Sequence, residues 1–227
     1  MYNVVAMSKI YVSKNANKIL KDYLKNQGHI VEEIKAKAAI DEAIQCHPDI
    51  YICHLGRKIF HGDPSILKQD YPDHAIYNGC STGKYFIHNN KITAPSLSMA
   101  VKEEGLINIH VAQGYSKCNC VVVDEESIIT SDKGIARATI NAGLDVLLVD
   151  AGQILLEGYP YGFLGGASGK VGNFVIFNGD LSQHSNYKQI KEFIESRGLE
   201  VVYFPQYPLT DIGSIIEEKN TEKDAEQ

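Results

Sequence analysis

Apolar positions along the chain repeat one order: a short apolar run, a tight polar turn, a second short run, a helical stripe, a glycine and a third run. The stretch 114–150 shows it most fully. A strand is expected at 121–123, an acidic turn at 124–126 and a second strand through Ile128 and Ile129. Ser131 or Asp132 can cap a helix, because a short side-chain oxygen accepts an orphan N–H at a helix start. Ile135, Ala136, Thr139 and Ile140 recur at the spacing of one helix face. Gly143 can take the left-handed conformation that ends a helix. Residues 144–149 are almost unbroken in their apolar character, as expected of a strand covered on both faces.

The same order recurs in five units, at about 2–34, 46–77, 81–111, 118–149 and 173–204. The first reads as strands at 4–7 and 9–13, a helix capped by Ser13 or Asn15, Gly28 and a strand at 29–34. The second has strands at 49–54 and 58–61, a short helix after Asp63-Pro64 and a strand at 74–77. In the third, 84–88 and 91–93 flank Asn89-Asn90, a pair suited to a hairpin. A helix starts at Pro95, and a strand covers 106–111. The fifth has strands at 173–177 and 180–182 around Asn178-Gly179, a helix carrying Ile190, Phe193 and Ile194, and a strand at 199–204. A unit this small cannot bury its own sheet face and helix stripe, so neighbours must complete the core. The expectation is one α/β domain over 1–216, five ββαβ units closed or nearly closed into a ring. Residues 217–227 form a charged tail expected to fray.

Composition narrows the function classes. With 28 acidic and 22 basic residues the net charge is −6, and no basic stripe marks a nucleic-acid surface. No apolar run reaches the ~20 residues that span a bilayer. The opening MYNVVAMSKIYVSKN has no basic segment followed by a long apolar core, so a cytoplasmic protein is expected. Five cysteines cannot all pair within the chain, which favours reduced thiols.

Several stretches carry a resemblance: HPDI at 47–50, GKYFIHN at 83–89, QGYSKCNCVVVDE at 113–125, ITSDKGIA at 129–136, YGFLGGASG at 161–169 and YPLTDIGS at 207–214. With the five units, they resemble the pentein, or guanidino-group-modifying enzyme, superfamily, and within it a family common in clostridial bacteria. The resemblance implies a pentein-like α/β propeller about a pseudo-fivefold axis. It also implies a bacterial protein with a small guanidino or amino-acid-like ligand in its central channel. In the catalytic members a thiolate attacks the guanidinium carbon, a histidine handles protons and carboxylates clamp the cation. Here the final loop, where the nucleophile would lie, offers Thr210, Asp211 and Ser214. The opening of the fourth unit, where the histidine would lie, offers Tyr115 and Lys117. The third unit opens NGCSTG in place of Gly-Gly-Asp, and only Asp49 of the second unit is kept. The resemblance therefore implies the fold without a standard deiminase or amidinotransferase site.

The segments after each third strand, 35–49, 78–84, 112–120, 150–172 and 205–214, should meet at one mouth of the ring. Three readings of that mouth stay open. In a rearranged cysteine hydrolase acting on C–N bonds, Cys118 or Cys80 is the nucleophile, His47 the base, and Asp49 or Asp211 the clamp. Lys117 beside Cys118 would favour the thiolate. In a non-catalytic binder, Asn78, Tyr115, Lys117, Tyr161, Gly165, Gly166, Ser168, Asp211 and Ser214 hold the ligand, the glycines letting the backbone approach it. A scaffold role needs neither. Cys-x-Cys at 118–120 with Cys46, His47 or Cys80 has soft-metal character. The paired Cys-x-x-Cys spacing of zinc sites is missing, so no metal and no cofactor are expected.

Overall fold

Five small sheets carry the repeat. The computed structural model describes residues 7–56 and 58–219. The strands are β1 (Lys9–Ser13), β2 (Ile30–Ile34), β3 (Ile52–Leu55), β4 (Lys58–His61), β5 (Cys80–Ser81), β6 (Tyr85–His88), β7 (Ile107–His110), β8 (Cys120–Val122), β9 (Ser127–Thr130), β10 (Asp145–Leu148), β11 (Ser168–Val171), β12 (Phe174–Phe177), β13 (Glu200–Val202) and β14 (Ile216–Glu218). They pair as β14-β1-β2, β3-β4, β5-β6-β7, β8-β9-β10 and β11-β12-β13. In each three-stranded sheet the first pair is antiparallel and the second parallel. One edge strand of each sheet adjoins the next: β14 beside β3, then β5, β8, β11, and β14 again.

The helices are α1 (Lys18–Asn26), α2 (Pro48–Tyr51), α3 (Pro95–Glu103), α4 (Ser116–Asn119), α5 (Lys133–Asn141) and α6 (Tyr187–Glu195). Four of them cross over between parallel strands and bury one face: Leu20 and Leu24, Leu97 and Val101, Ile135 and Thr139, Ile190 and Ile194. Asp132 caps α5, its carboxylate accepting from Gly134 N at 2.7 Å and Ile135 N at 2.8 Å. Asn17, not Ser13 or Asn15, caps α1, accepting from Ile19 N at 2.9 Å. The two short helices α2 and α4 are single turns, each running directly into an inner strand, β3 and β8.

Several expected strands fall elsewhere. The proposed strand 4–7 lies largely outside the described residues, and the inner place in the first sheet is taken by β14. The tail is therefore ordered through Glu218, where Lys9 pairs with Glu218 across the sheet. In the third and fifth units the expected hairpin is displaced by one strand. Residues 91–93 and 180–182 are not strands; the true inner strands are β5 and β11, ahead of the expected ones. These two inner strands carry Cys, Ser and Gly, so they lack the apolar pattern that marks the strands beside them. Residues 49–51 form a helical turn, and 74–77 form turns, which leaves the second sheet with two strands. β10 is half-covered, not buried on both faces, because it is the outer edge of its sheet.

Candidate functional site

All five loop segments meet around the carboxylate of Asp49. Pro48 starts α2 in the conformation a first helical turn needs, and the turn delivers Asp49 to the head of β3, where it is wholly buried. α4 does the same for Cys118 at the head of β8. Asn78, just before β5, ties the two together. Its Oδ1 accepts from the backbone N–H of Lys117 at 2.9 Å and of Cys118 at 3.3 Å. Its Nδ2 donates to Asp49 O at 3.3 Å and lies 3.5 Å from Cys118 Sγ.

The final loop closes the group. Ser214 holds φ at 74°, a backbone conformation that costs a residue with a Cβ of order 1–3 kcal/mol. In that conformation its hydroxyl donates to Asp49 Oδ2 at 2.8 Å and accepts from Lys117 Nζ at 3.1 Å. Cys118 Sγ donates to the same Oδ2 at 3.0 Å. Asp49 Oδ1, equally buried, has no hydrogen-bond partner. A buried polar atom left unpaired costs roughly 1–3 kcal/mol, more when charged, so it asks for an explanation.

Asp211 is the second buried carboxylate. It accepts from Phe163 N at 2.8 Å and Gly213 N at 2.9 Å, and its Oδ1 lies 3.9 Å from His47 Nδ1. Glycines make this closeness possible. A Cβ on Gly213 would sit 2.1 Å from His47 Cβ, and one on Gly166 would sit 2.1 Å from Asp211 Oδ1. Gly166 also accepts from Ser214 N at 2.7 Å and donates to Cys118 O at 2.8 Å, stitching three segments. Tyr159 anchors the covering loop by donating to Asp41 Oδ2 at 2.9 Å.

Burial sets the protonation states. It pushes both Asp49 and Asp211 up, Asp211 to about 6, and lowers His47 to about 4 against the pull of Asp49. Burial, then the charges of Asp49 and Asp211, pushes the Cys118 thiol well above its ordinary value. This corrects the expectation that Lys117 holds Cys118 as a thiolate: the lysine ammonium bonds Ser214, and the carboxylates face the sulfur. Burial thus favours the protonated thiol and the neutral imidazole.

Of the residues expected at this mouth, His47, Asp49, Asn78, Lys117, Cys118, Gly165, Gly166, Asp211 and Ser214 come together. Cys80 does not: it is buried in an apolar cluster with Cys120. Contact with Cys80, and burial, push the Cys120 thiol well up. Tyr115 stands over the site's edge, hydrogen-bonded to His74 and packed on Phe163. Tyr161 is 45% exposed, and Ser168 bonds Gly165 O from within β11. His74 and Gly213 were not singled out from the sequence; the left-handed backbone at Gly213, φ 69°, has no signal beyond the glycine itself.

A much larger space lies elsewhere. A cavity of about 1110 Å³ opens among the hairpin turns, lined by Gly83, Glu125, Lys170, Gly172 and Glu217, and touches the chemical group only through Lys117.

The arrangement of sheets is that of a known structural class. A crystal structure of dimethylarginine dimethylaminohydrolase, as its adduct with 4-chloro-2-hydroxymethylpyridine, superposes with a TM-score of 0.52 at 10% sequence identity. The match covers 87% of this chain and 92% of that one. At that identity the likeness is one of fold alone. The chain itself belongs to the family of unknown function DUF6873, whose model matches residues 58–216. No curated protein matches it in sequence. No helix among the described residues is long and apolar enough to cross a membrane.

Proposed function

We propose that this protein is a five-bladed pentein propeller, acting in a bacterial cytoplasm, that takes a small guanidino or amino-acid-like cation between Asp49 and Asp211. The single observation behind the reading is Asp49 Oδ1, an acceptor buried without a partner beside a second buried carboxylate. A planar cation with several N–H donors satisfies that atom and offsets both charges, and charge-assisted pairs of this kind are the strong ones. The ligand displaces the covering loop 150–165 to enter. His47, Tyr115 and Phe163 border the space it would occupy, with Lys117, Asn78 and Ser214 holding the carboxylate in place.

Covalent chemistry is the second reading, favoured by the 3.0 Å contact between Cys118 Sγ and Asp49 Oδ2. A bound cation reverses the field that keeps the thiol protonated. The thiol proton passes to Asp49, and sulfur attacks the guanidinium carbon. The C–N bond breaks as the departing amine takes that proton from Asp49, and water then adds to the carbon and breaks the C–S bond, one of its protons returning to the sulfur. His47, neutral at rest, is the group placed to carry protons in these steps.

Thermal unfolding with guanidinium, agmatine and L-arginine tests the binding reading. A true ligand raises stability by about 2.7 kcal/mol at a hundredfold excess over Kd. Asp49→Asn should abolish the rise. No stabilisation by any compound of the class, or an equal rise in the variant, contradicts the proposal.

A further inference from the structure

We infer that His47, Asp49 and Cys118 also form a site for a borderline-soft divalent cation, with zinc the metal that suits them best. The three residues are the group, among those described, whose ligand atoms lie within 4.8 Å of one another, and all three are buried. One nitrogen, one oxygen and one sulfur is a ligand set that zinc accepts and that magnesium or calcium does not. Bonds of about 2.0–2.3 Å put the ligand atoms of a tetrahedral zinc roughly 3.3–3.8 Å apart. The trio therefore closes by about 1 Å at its widest on binding.

Two independent observations point the same way. Asp49 Oδ1 is the free donor atom: Oδ2 is already engaged by Ser214 and Cys118, while Oδ1 has no partner. The placement of Asp211 is the other. Asp211 has the place of an outer partner. Both its oxygens are held by backbone N–H groups, and its Oδ1 lies 3.9 Å from His47 Nδ1, longer than a hydrogen bond but beside the ring that would bind the metal. Cys80 and Cys120 are not part of the ligand group brought together among the described residues.

This inference stands apart from the proposed organic ligand. Both occupants use Asp49, so they compete, but only the metal needs the sulfur in order to bind.

The test uses the full chain, stripped with a chelator and then given Zn²⁺ alone or Co²⁺ alone. Equilibrium dialysis with elemental analysis should return one equivalent of zinc. Co²⁺ should give a sulfur-to-cobalt charge-transfer band in the ultraviolet. Cys118→Ser, nearly isosteric, should lose both the band and the bound zinc, whereas Cys80→Ala should keep both. Asp211→Asn should weaken zinc by about 10–100-fold while leaving the band in place. Circular dichroism confirms that each variant is folded before it is read. A protein that retains no zinc, or a Cys118→Ser variant that retains it, overturns the inference. Guanidinium stabilisation of the stripped Cys118→Ser protein is read separately, so failure of the metal site and failure of the organic-cation site are distinguished.

Discussion

Lys117 separates two unlike compartments at the centre of the molecule. On one side is the open cavity of about 1110 Å³, framed by hairpin turns and by charged side chains that reach water. On the other is a closed group with two buried carboxylates, an unpaired acceptor and a serine in left-handed conformation. Volume favours the first and stored free energy the second. Buried charge and backbone strain persist only where the surrounding structure over-determines them, which is why the small compartment is the one proposed to bind a ligand. The open cavity is framed in part by turn glycines at positive φ, Gly56, Gly83 and Gly172.

Paired substitutions on the two sides should break or sharpen that contrast. The largest difference is expected between two left-handed glycines. Gly213→Ala drives a methyl into His47 and should cost roughly 3–4 kcal/mol by urea denaturation, from overpacking and backbone strain together. Gly172→Ala, at the open cavity with nothing within 4 Å of its Cβ, should cost only the backbone term of about 1 kcal/mol. Equal losses would mean that the small compartment is not tightly fixed. Asn78→Ala leaves the buried N–H of Cys118 without its acceptor, while Lys117 N keeps the backbone carbonyl of residue 78 at 3.1 Å, and should cost about 1–3 kcal/mol.

The pH dependence is the next effect in size. Asp211 titrates near 6 when folded and near 3.8 when unfolded, so between those values the folded state binds the extra proton. That contribution makes the folded state relatively more stable as pH falls. His47 acts with the opposite sign, because its folded value of about 4 lies below 6.5, and stability is lost as pH falls through that window. In the wild type the two offset each other. Asp211→Asn removes the first contribution only, so the loss between pH 7 and 4.5 should exceed that of the wild type by about 2 kcal/mol. An identical acid profile in the two proteins would mean that Asp211 is not held near 6. The smallest effect is expected on the far side of Lys117. Lys170→Met should change stability by no more than about 0.5 kcal/mol and leave guanidinium stabilisation as it was.

Much of this was legible in the sequence, and what was not has a common cause. Outer strands and crossover helices announce themselves, because they bury one face and end at Gly28, Gly105, Gly143 and Gly198, all at positive φ. Two of the inner strands do not. Cys80-Ser81 and Ser168–Val171 line the centre, where side chains must be small or polar, so the apolar pattern pointed one strand too far along. The convergence of loops 35–49, 78–84, 112–120, 150–172 and 205–214 followed from the repeat alone, and it brought Cys118, Asp49 and Asp211 together. The choice between Cys118 and Cys80 did not follow, because both sit beside inner strands. It turns on whether a carboxylate or a thiol lies opposite, a tertiary fact. Lys117 misled for the same reason: adjacency in sequence to Cys118 suggested a thiolate, while in space its ammonium serves Ser214.

The central claim is that the Cys118–Asp49 group receives a small cation. The most direct measurement labels the chelator-treated protein at neutral pH with a small amidinium-bearing electrophile and, in parallel, with a neutral alkylating agent of similar size, each mapped by mass spectrometry. Fast labelling of Cys118 by the cationic reagent, with slow reaction of the neutral one and of Cys80, is the result predicted here. Labelling that is slow, or that the neutral reagent matches at Cys118, would contradict it.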